Sequence, residues 1–213
     1  MKPRRGNRPD HMLRFKRLLA RALLGVLGWK IEGEKPLHRK YVLIAAPHTS
    51  NWDFPMMIAF AWAFEMQISW MGKESLFRAP FGWVMRWLGG IPIQRRSKNN
   101  VVDSMVAAFQ ERDDLILVVP TEGTRARTEY WKSGFYHIAR GADVPIVPSY
   151  LDFGQKRGGF GPALPMSGEV HRDMDLLRGF YAPMNGLYPE NFTTPRLREE
   201  TEEARPSSQQ ATR

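Results

Sequence analysis

"KYVLIAAPHTSNWD", residues 40–53, runs from a short apolar segment through Pro47 into a histidine, small polar residues, a tryptophan and an aspartate. An apolar run of this length closed by proline reads as a buried strand entering a loop. The next segment, "FPMMIAFAWAFEMQISWM" (54–71), is apolar and compatible with a core helix that runs into a strand at "QISWM". It contains Glu65 and Gln67 and falls short of the roughly 20 apolar residues a spanning helix needs.

The same alternation continues outward. "LFRAPFGWVMRWLGGIPIQR" (76–95) reads as a short helix ended by Gly89 and Gly90, then a brief strand. "NVVDSMVAAFQERD" (100–113) repeats apolar residues at helical spacing, and "LILVVP" (115–120) is a buried strand. "WKSGFYHIARGAD" (131–143) has a helical pattern closed by Gly141, and "VPIVPSYLDF" (144–153) reads as another strand. Strands alternating with helices define an α/β class, here a single domain with a mixed or mostly parallel sheet flanked by helices. A chain of 213 residues, 43% of them hydrophobic, suffices for one full core.

Charge is uneven. The net charge is +9 and the pI about 10.0, which directs attention to anionic partners: nucleic acid, acidic lipid or a phosphorylated substrate. Between Met12 and Leu27 the apolar residues Met12, Phe15, Leu19, Leu23 and Val26 recur at steps of three and four, while Arg14, Arg17 and Arg21 share another face. Such a helix either lies in the interface of an anionic membrane or packs on the domain core. The basic start resembles a signal peptide, but Arg21 interrupts its apolar part and no small-x-small cleavage site follows, so a retained segment of a cytoplasmic protein is expected. Residues 1–30 are thus read as a basic arm with a membrane-associating helix, 31–195 as the domain and 196–213 as a polar tail without order. The absence of cysteine excludes disulfides, cysteine-ligated zinc and cysteine nucleophiles.

With a strand ending at Pro47, His48 sits at the carboxyl edge of the sheet, where open α/β folds place their sites. Thr49 or Ser50 can cap the following helix, putting Asp53 in its first turn, where the helix dipole favours a carboxylate. A carboxylate beside an imidazole makes a general base: the acid holds one ring nitrogen and the other takes a proton from a hydroxyl. The alternative is a helix cap and an unrelated loop histidine. No third residue has an obvious spacing to complete a metal site, and no G-x-S-x-G nucleophile elbow occurs. "VVPTEGTRART" (118–128) follows a strand and carries a glycine, hydroxyls and arginines, a composition that suits a phosphate or, equally, a polar surface turn.

The H-x4-D of "HTSNWD", the "GGIPIQR" that follows, the "PTEGTR" and the later "VPIVP" resemble, in order and approximate separation, the four motif blocks of the glycerolipid acyltransferase family, which includes the 1-acylglycerol-3-phosphate acyltransferases. The resemblance runs from about Val42 to Ser149. It implies an enzyme that moves a fatty acyl group from acyl-CoA or an acyl carrier protein to a hydroxyl of a lysolipid, without metal or a further cofactor. His48 would be the general base and Asp53 its orienting partner. Arg95 matches the second block, and Glu122, Gly123, Thr124 and Arg125 the third, as substrate-binding residues; Pro145 falls in the fourth. The second block departs from the family's G-x-x-F-I-D-R at Pro92 and Gln94, and Thr121 stands where a proline usually precedes the glutamate. The implied partners are the thioester, the lysolipid and an anionic membrane surface, at the cytoplasmic side of the cell membrane, peripheral or monotopic. A basic nucleic-acid-binding protein leaves "HTSNWD" and "PTEGTR" unexplained; a noncatalytic membrane-surface protein of this fold is the other alternative.

Overall fold

A computed structural model describes residues 10–93 and 98–203. In chain order the helices are α1 (Asp10–Val26), α2 (Asp53–Ala63), α3 (Gly82–Trp87), α4 (Lys98–Glu111), α5 (Gly134–Ala142), α6 (Val170–Tyr181) and α7 (Glu199–Glu203). The strands are β1 (Lys30–Ile31), β2 (Lys40–Ala45), β3 (Ile68–Lys73), β4 (Gly90–Ile93), β5 (Leu115–Val119), β6 (Ile146–Asp152) and β7 (Arg157–Phe160). They form one seven-stranded sheet of order β1-β7-β6-β2-β5-β3-β4, parallel throughout except for the β6–β7 pair. The α/β domain with a mostly parallel sheet is therefore as the sequence indicates.

The strands β2 and β5 read as unbroken apolar runs because helices cover both faces of the sheet. Val42 and Ile44 of β2, with Leu115, Leu117 and Val119 of β5, face a core closed by α4, α5 and α6. Tyr41, Leu43, Ile116 and Val118 point the other way, towards α2 and β3. The chain leaves β2 for β3 through α2, and leaves β5 for β6 through α5, so the two connections depart in opposite directions from adjacent strands. The crevice between β2 and β5 is thus a topological switch point, open at the carboxyl ends of the strands. At the far edge Gly158 lies under α2: a Cβ there would come within 2.6 Å of the Phe60 ring.

α1 packs on α2 through a narrow row in which Ala20 and Leu24 are buried. Its wider apolar stripe stays outside: Phe15 is 64% exposed, Leu18 68% and Val26 86%, with Met12, Leu19 and Leu23 also exposed. The packing on the domain core is thus observed for one row of this helix, and its remaining apolar residues stay at the surface. "FPMMIAFAWAF" is largely core, whereas α3 and the turn before it present Phe81, Trp83 and Trp87 to the outside. Lys16 of α1 lies 4.2 Å from the Trp87 ring centroid, which makes the two exposed apolar faces neighbours. No helix among the described residues is long and apolar enough to cross a membrane.

Two expectations need correction. α5 does not close at Gly141, which stays within the helix; it ends at Asp143, in the left-handed region at φ 51°. Nor does an unordered tail begin at 196. Leu197 is fully buried, and the buried Glu200 accepts the Leu197 N–H (2.6 Å) and an Arg178 Nη1–H (2.7 Å). One apolar side chain and one paired carboxylate within a charged run tether the segment, which composition averaged over the whole run conceals. Glu200→Ala should lower stability by about 2–3 kcal/mol, since it leaves a half-buried guanidinium and a backbone donor short of a partner; denaturant unfolding measures it.

Candidate active site

His48 emerges just beyond β2, and its imidazole Nδ1 lies 3.0 Å from Asp53 Oδ2. The local turn explains the approach. Asp53 Oδ2 also accepts the Ser50 N–H (2.9 Å), so the carboxylate reaches back over the loop it follows. Ser50 Oγ accepts the Trp52 N–H (3.1 Å), and Trp52 itself is the N-cap, without a side-chain cap bond. The expected hydroxyl cap is therefore absent: Thr49 Oγ1 instead accepts the Tyr188 N–H (3.2 Å), tying in a distant segment. Asp53 does occupy the first turn, where the helix dipole favours its charge. The Asp53 side chain is 8% exposed and that of His48 21%, which leaves the imidazole reachable while its partner is held in the interior.

The Asp53 contact makes Nδ1–H the donor in the neutral ring and leaves the Nε2 lone pair to accept a proton. The backbone of the same residue is held from β5. Glu122, three residues beyond that strand, is 1% exposed, and its Oε2 accepts the His48 N–H at 2.7 Å. The family resemblance groups Glu122 with the substrate-binding residues; the structure turns its carboxylate inward, onto the backbone of His48. Burial pushes its carboxyl up to about 8; the His48 N–H opposes this, and the Asp53 charge adds to it. Oε1 is buried without a hydrogen bond, so protonation there leaves Oε2 to accept from His48.

Gly123 follows at φ +69°, a left-handed turn that suits glycine, and lets the chain reverse outward. Thr124 and Arg125 are consequently exposed, and Thr124 Oγ1 accepts the Ala126 N–H (3.3 Å). The third block thus splits at Gly123 into an inward acid and an outward arginine. Pro145 precedes β6, whose backbone pairs with β2. Arg95 lies outside the described residues.

The region 154–195, barely informative as sequence, closes over the site. A Cβ on Gly186 would come within 2.5 Å of Thr49 Oγ1, and Tyr181 donates its hydroxyl to the Ser149 carbonyl (2.9 Å) close to Glu122. Thr193 lies beside Glu122 and accepts the Thr128 N–H (3.1 Å). Asp152 binds Arg157, and Asp173 accepts the Tyr136 hydroxyl (2.8 Å). His171 meets the buried Glu200. These three contacts belong to the scaffold. A cleft of about 340 Å³ between α1, α2 and α3 opens at the start of β3, the other end of the sheet from His48. No group of three histidine, aspartate or glutamate side chains among the described residues is arranged to hold a metal ion.

A paired histidine and aspartate at an α/β switch point have the geometry that suits proton transfer. The fold is similar to that of the 1-acyl-sn-glycerophosphate (LPA) acyltransferase PlsC from Thermotoga maritima, with a TM-score of 0.58 over 93% of this chain and 82% of that one, at 17% identity. Residues 28–152 match the Acyltransferase family, and the chain belongs to it. The 1-acyl-sn-glycerol-3-phosphate acyltransferases of Salmonella typhimurium and Escherichia coli K12 are 31% and 30% identical to it over 150 residues, 66% of this chain and 59% of each relative. The Streptococcus pneumoniae enzyme of the same description is 31% identical over 138 residues. The chain spans about three fifths of the length of the first two.

Glu122 sets a pH dependence of stability. Its folded pKa of about 8 exceeds its ordinary 4.5, so the folded state binds the proton more tightly. The stability this contributes is complete below about 4.5 and lost as pH rises through about 8. Glu122→Gln keeps an acceptor for the His48 N–H without titrating. The stability difference between parent and variant should shift steadily against the parent across that window; a difference that does not vary with pH, in denaturant unfolding at fixed salt, contradicts the burial argument.

Proposed function

We propose that this protein transfers a fatty acyl group from a thioester, acyl-CoA or acyl carrier protein, to a free hydroxyl of a lysolipid, most closely 1-acylglycerol-3-phosphate. The observation that carries the reading is the His48–Asp53 pair, 3.0 Å apart, with its backbone clamped by Glu122 at the mouth of the switch-point crevice. The naming of the curated relatives as 1-acyl-sn-glycerol-3-phosphate acyltransferases supports the choice of acceptor.

In this reading the acceptor hydroxyl gives its proton to His48 Nε2 as its oxygen attacks the thioester carbonyl. Asp53 holds the opposite side of the ring and stabilises the imidazolium. Collapse of the tetrahedral species breaks the C–S bond, and the imidazolium returns the proton to the departing thiolate. The products are the ester and the free thiol. Arg125, exposed one turn beyond the buried Glu122, with Thr124 and the Gly123 backbone beside it, holds the anionic head of the acceptor. Arg95 is assigned the same task from its motif position alone. The steps use side chains of this chain and call for no metal or cofactor beyond the donor.

His48→Ala should lower kcat by about 10²–10⁴-fold while the thermal midpoint stays close to the parent's. Asp53→Asn should lower it strongly as well, because the amide accepts from neither Ser50 nor Nδ1–H when its NH2 faces them and so favours the wrong tautomer. Activity should survive EDTA. Acyl transfer by purified His48→Ala protein at the parental rate contradicts the assignment.

The acceptor is a lipid, and the reading places the protein peripherally on the cytoplasmic side of the cell membrane. The exposed apolar stripe of α1 lies next to a face bearing Arg14, Arg17 and Arg21, the arrangement of a helix that lies in an anionic interface. Because Leu19 and Leu23 are half-exposed and outside the row that packs on α2, Leu19→Glu/Leu23→Glu should keep the fold and abolish sedimentation with anionic liposomes. Unchanged sedimentation of the folded variant removes α1 as the anchor.

A further inference from the structure

Beyond the crevice, the loop after Gly123 and the segment after Thr193 enclose a second hollow of about 600 Å³. Arg127, Thr128, Arg178, Thr193, Thr194 and Arg196 line it, with Glu129 as its acid. The three arginines are not equivalent. Arg178 is consumed by the structure, donating to Asp175 (2.7 Å), Glu200 (2.7 Å) and the Pro195 carbonyl (3.0 Å). Arg127 and Arg196 form no ion pair among the described residues, and both are exposed. Arg196 is steered from behind by the Tyr130 ring, 5.4 Å from its guanidinium carbon, and by Thr201 Oγ1. Two exposed guanidinium groups lining a concavity, neither in an ion pair among the described residues, suit phosphate groups.

The hollow communicates with the catalytic residues through one side chain. Thr193 accepts the Thr128 N–H (3.1 Å) and donates to the Thr128 carbonyl (2.7 Å), which staples the two walls together. The same Thr193 lies against Glu122, whose Oε2 holds the His48 N–H. A ligand in the hollow is thus two residues from the reacting centre, within range of an extended arm rather than of direct contact. Its position also excludes the membrane side. The walls belong to the α5–α6 face, packed through Trp131, Leu177 and Leu197, whereas the exposed apolar residues of α1 and α3 lie on the α2 side of the sheet.

We infer that this hollow binds the phosphorylated nucleotide end of a coenzyme A thioester, with Arg127 and Arg196 on its phosphates and the acyl-bearing arm running past Thr193 to His48. The inference rests on the acyl-transfer reading and chooses the water-soluble donor for this face, leaving the bilayer-borne acceptor to approach from the other. A concave pocket of this size fits a nucleotide; docking an acidic carrier protein calls for an open basic surface instead.

Titration calorimetry of the full-length protein with coenzyme A tests the site without turnover. Arg127→Ala/Arg196→Ala should weaken coenzyme A binding about tenfold or more, as expected for losing charge-assisted contacts. The same variant should raise KM for acyl-CoA in parallel and leave the lysolipid KM and the thermal midpoint unchanged. Arg127→Lys/Arg196→Lys, which keeps the charge and loses the fork, should recover part of the binding. A parent protein that does not bind coenzyme A, a double alanine variant that binds it as the parent does, or ATP binding as tightly as coenzyme A each overturns the assignment. So does an equal rise in the lysolipid KM, which would make the hollow the acceptor's. Coenzyme A binding that depends on these arginines in a protein that transfers no acyl group would keep the site and sink the acyl-transfer reading, so the two failures are distinguishable.

Discussion

The hydrogen bond from the His48 N–H to the buried Glu122 joins the ends of the two strands whose connections depart in opposite directions. Everything at the site is referenced to it. An α/β sheet opens a crevice at such a switch point, but an open crevice does not by itself hold a catalytic ring in one place. Here the backbone of the base is fixed from β5 and its side chain from α2, through Asp53. The two restraints come from separate elements, so the imidazole cannot rotate away without breaking one of them. A buried carboxyl is a costly clamp, and its raised pKa expresses that cost. The protonated form near neutral pH limits it: a neutral acid accepts the His48 N–H without placing a second full negative charge beside Asp53.

The strands β2 and β5 were legible because burial on both faces leaves nothing but apolar residues in them, and the helices because their apolar spacing survives in a single sequence. Asp53 and His48 could be paired from spacing, since five residues across a strand-to-helix turn bring the groups within one loop. Glu122 could be noticed in "PTEGTR" but not understood. Its partner is 74 residues away, and whether an acid next to Gly123 points into the protein or out of it is decided by the sheet and not by its neighbours. The same holds for Thr49, which local reasoning makes a helix cap and which tertiary structure gives to the Tyr188 N–H, 139 residues on.

The carboxyl-terminal third shows a different limit. Between Gly154 and Pro195 the chain has turns, prolines and short polar runs around the single helix α6, so its role as the wall over the site leaves no local signature. Val170, Met174 and Leu177 of α6 anchor it in the core, and single contacts place it over the site: Tyr181 to Ser149, Gly186 to Thr49, Thr193 to Thr128. The segment around Leu197 and Glu200 misleads more actively, because the charged residues around them in the sequence, Arg196, Arg198, Glu199, Glu202 and Glu203, mask the two that anchor it. Composition reports the average environment of a stretch, while anchoring depends on its least typical members.

The division of the molecule into two sides follows from the same sheet. A transferase joining a lipid to a water-soluble thioester has to admit one substrate from a bilayer and the other from solution, and a single mouth facing the membrane would serve only the first. The exposed stripe of α1, with Phe81, Trp83 and Trp87 nearby, lies on the α2 side, where the cationic face of α1 also lies. The hollow with Arg127 and Arg196 lies on the α5–α6 side. Between them the carboxyl edge of β2 and β5 is common to both faces, because each strand ends there whichever way its connection departs. On the proposed reading, a hydroxyl arriving from the α1–α3 side and a thioester arriving from the α5–α6 side would meet at His48, just beyond the carboxyl end of β2.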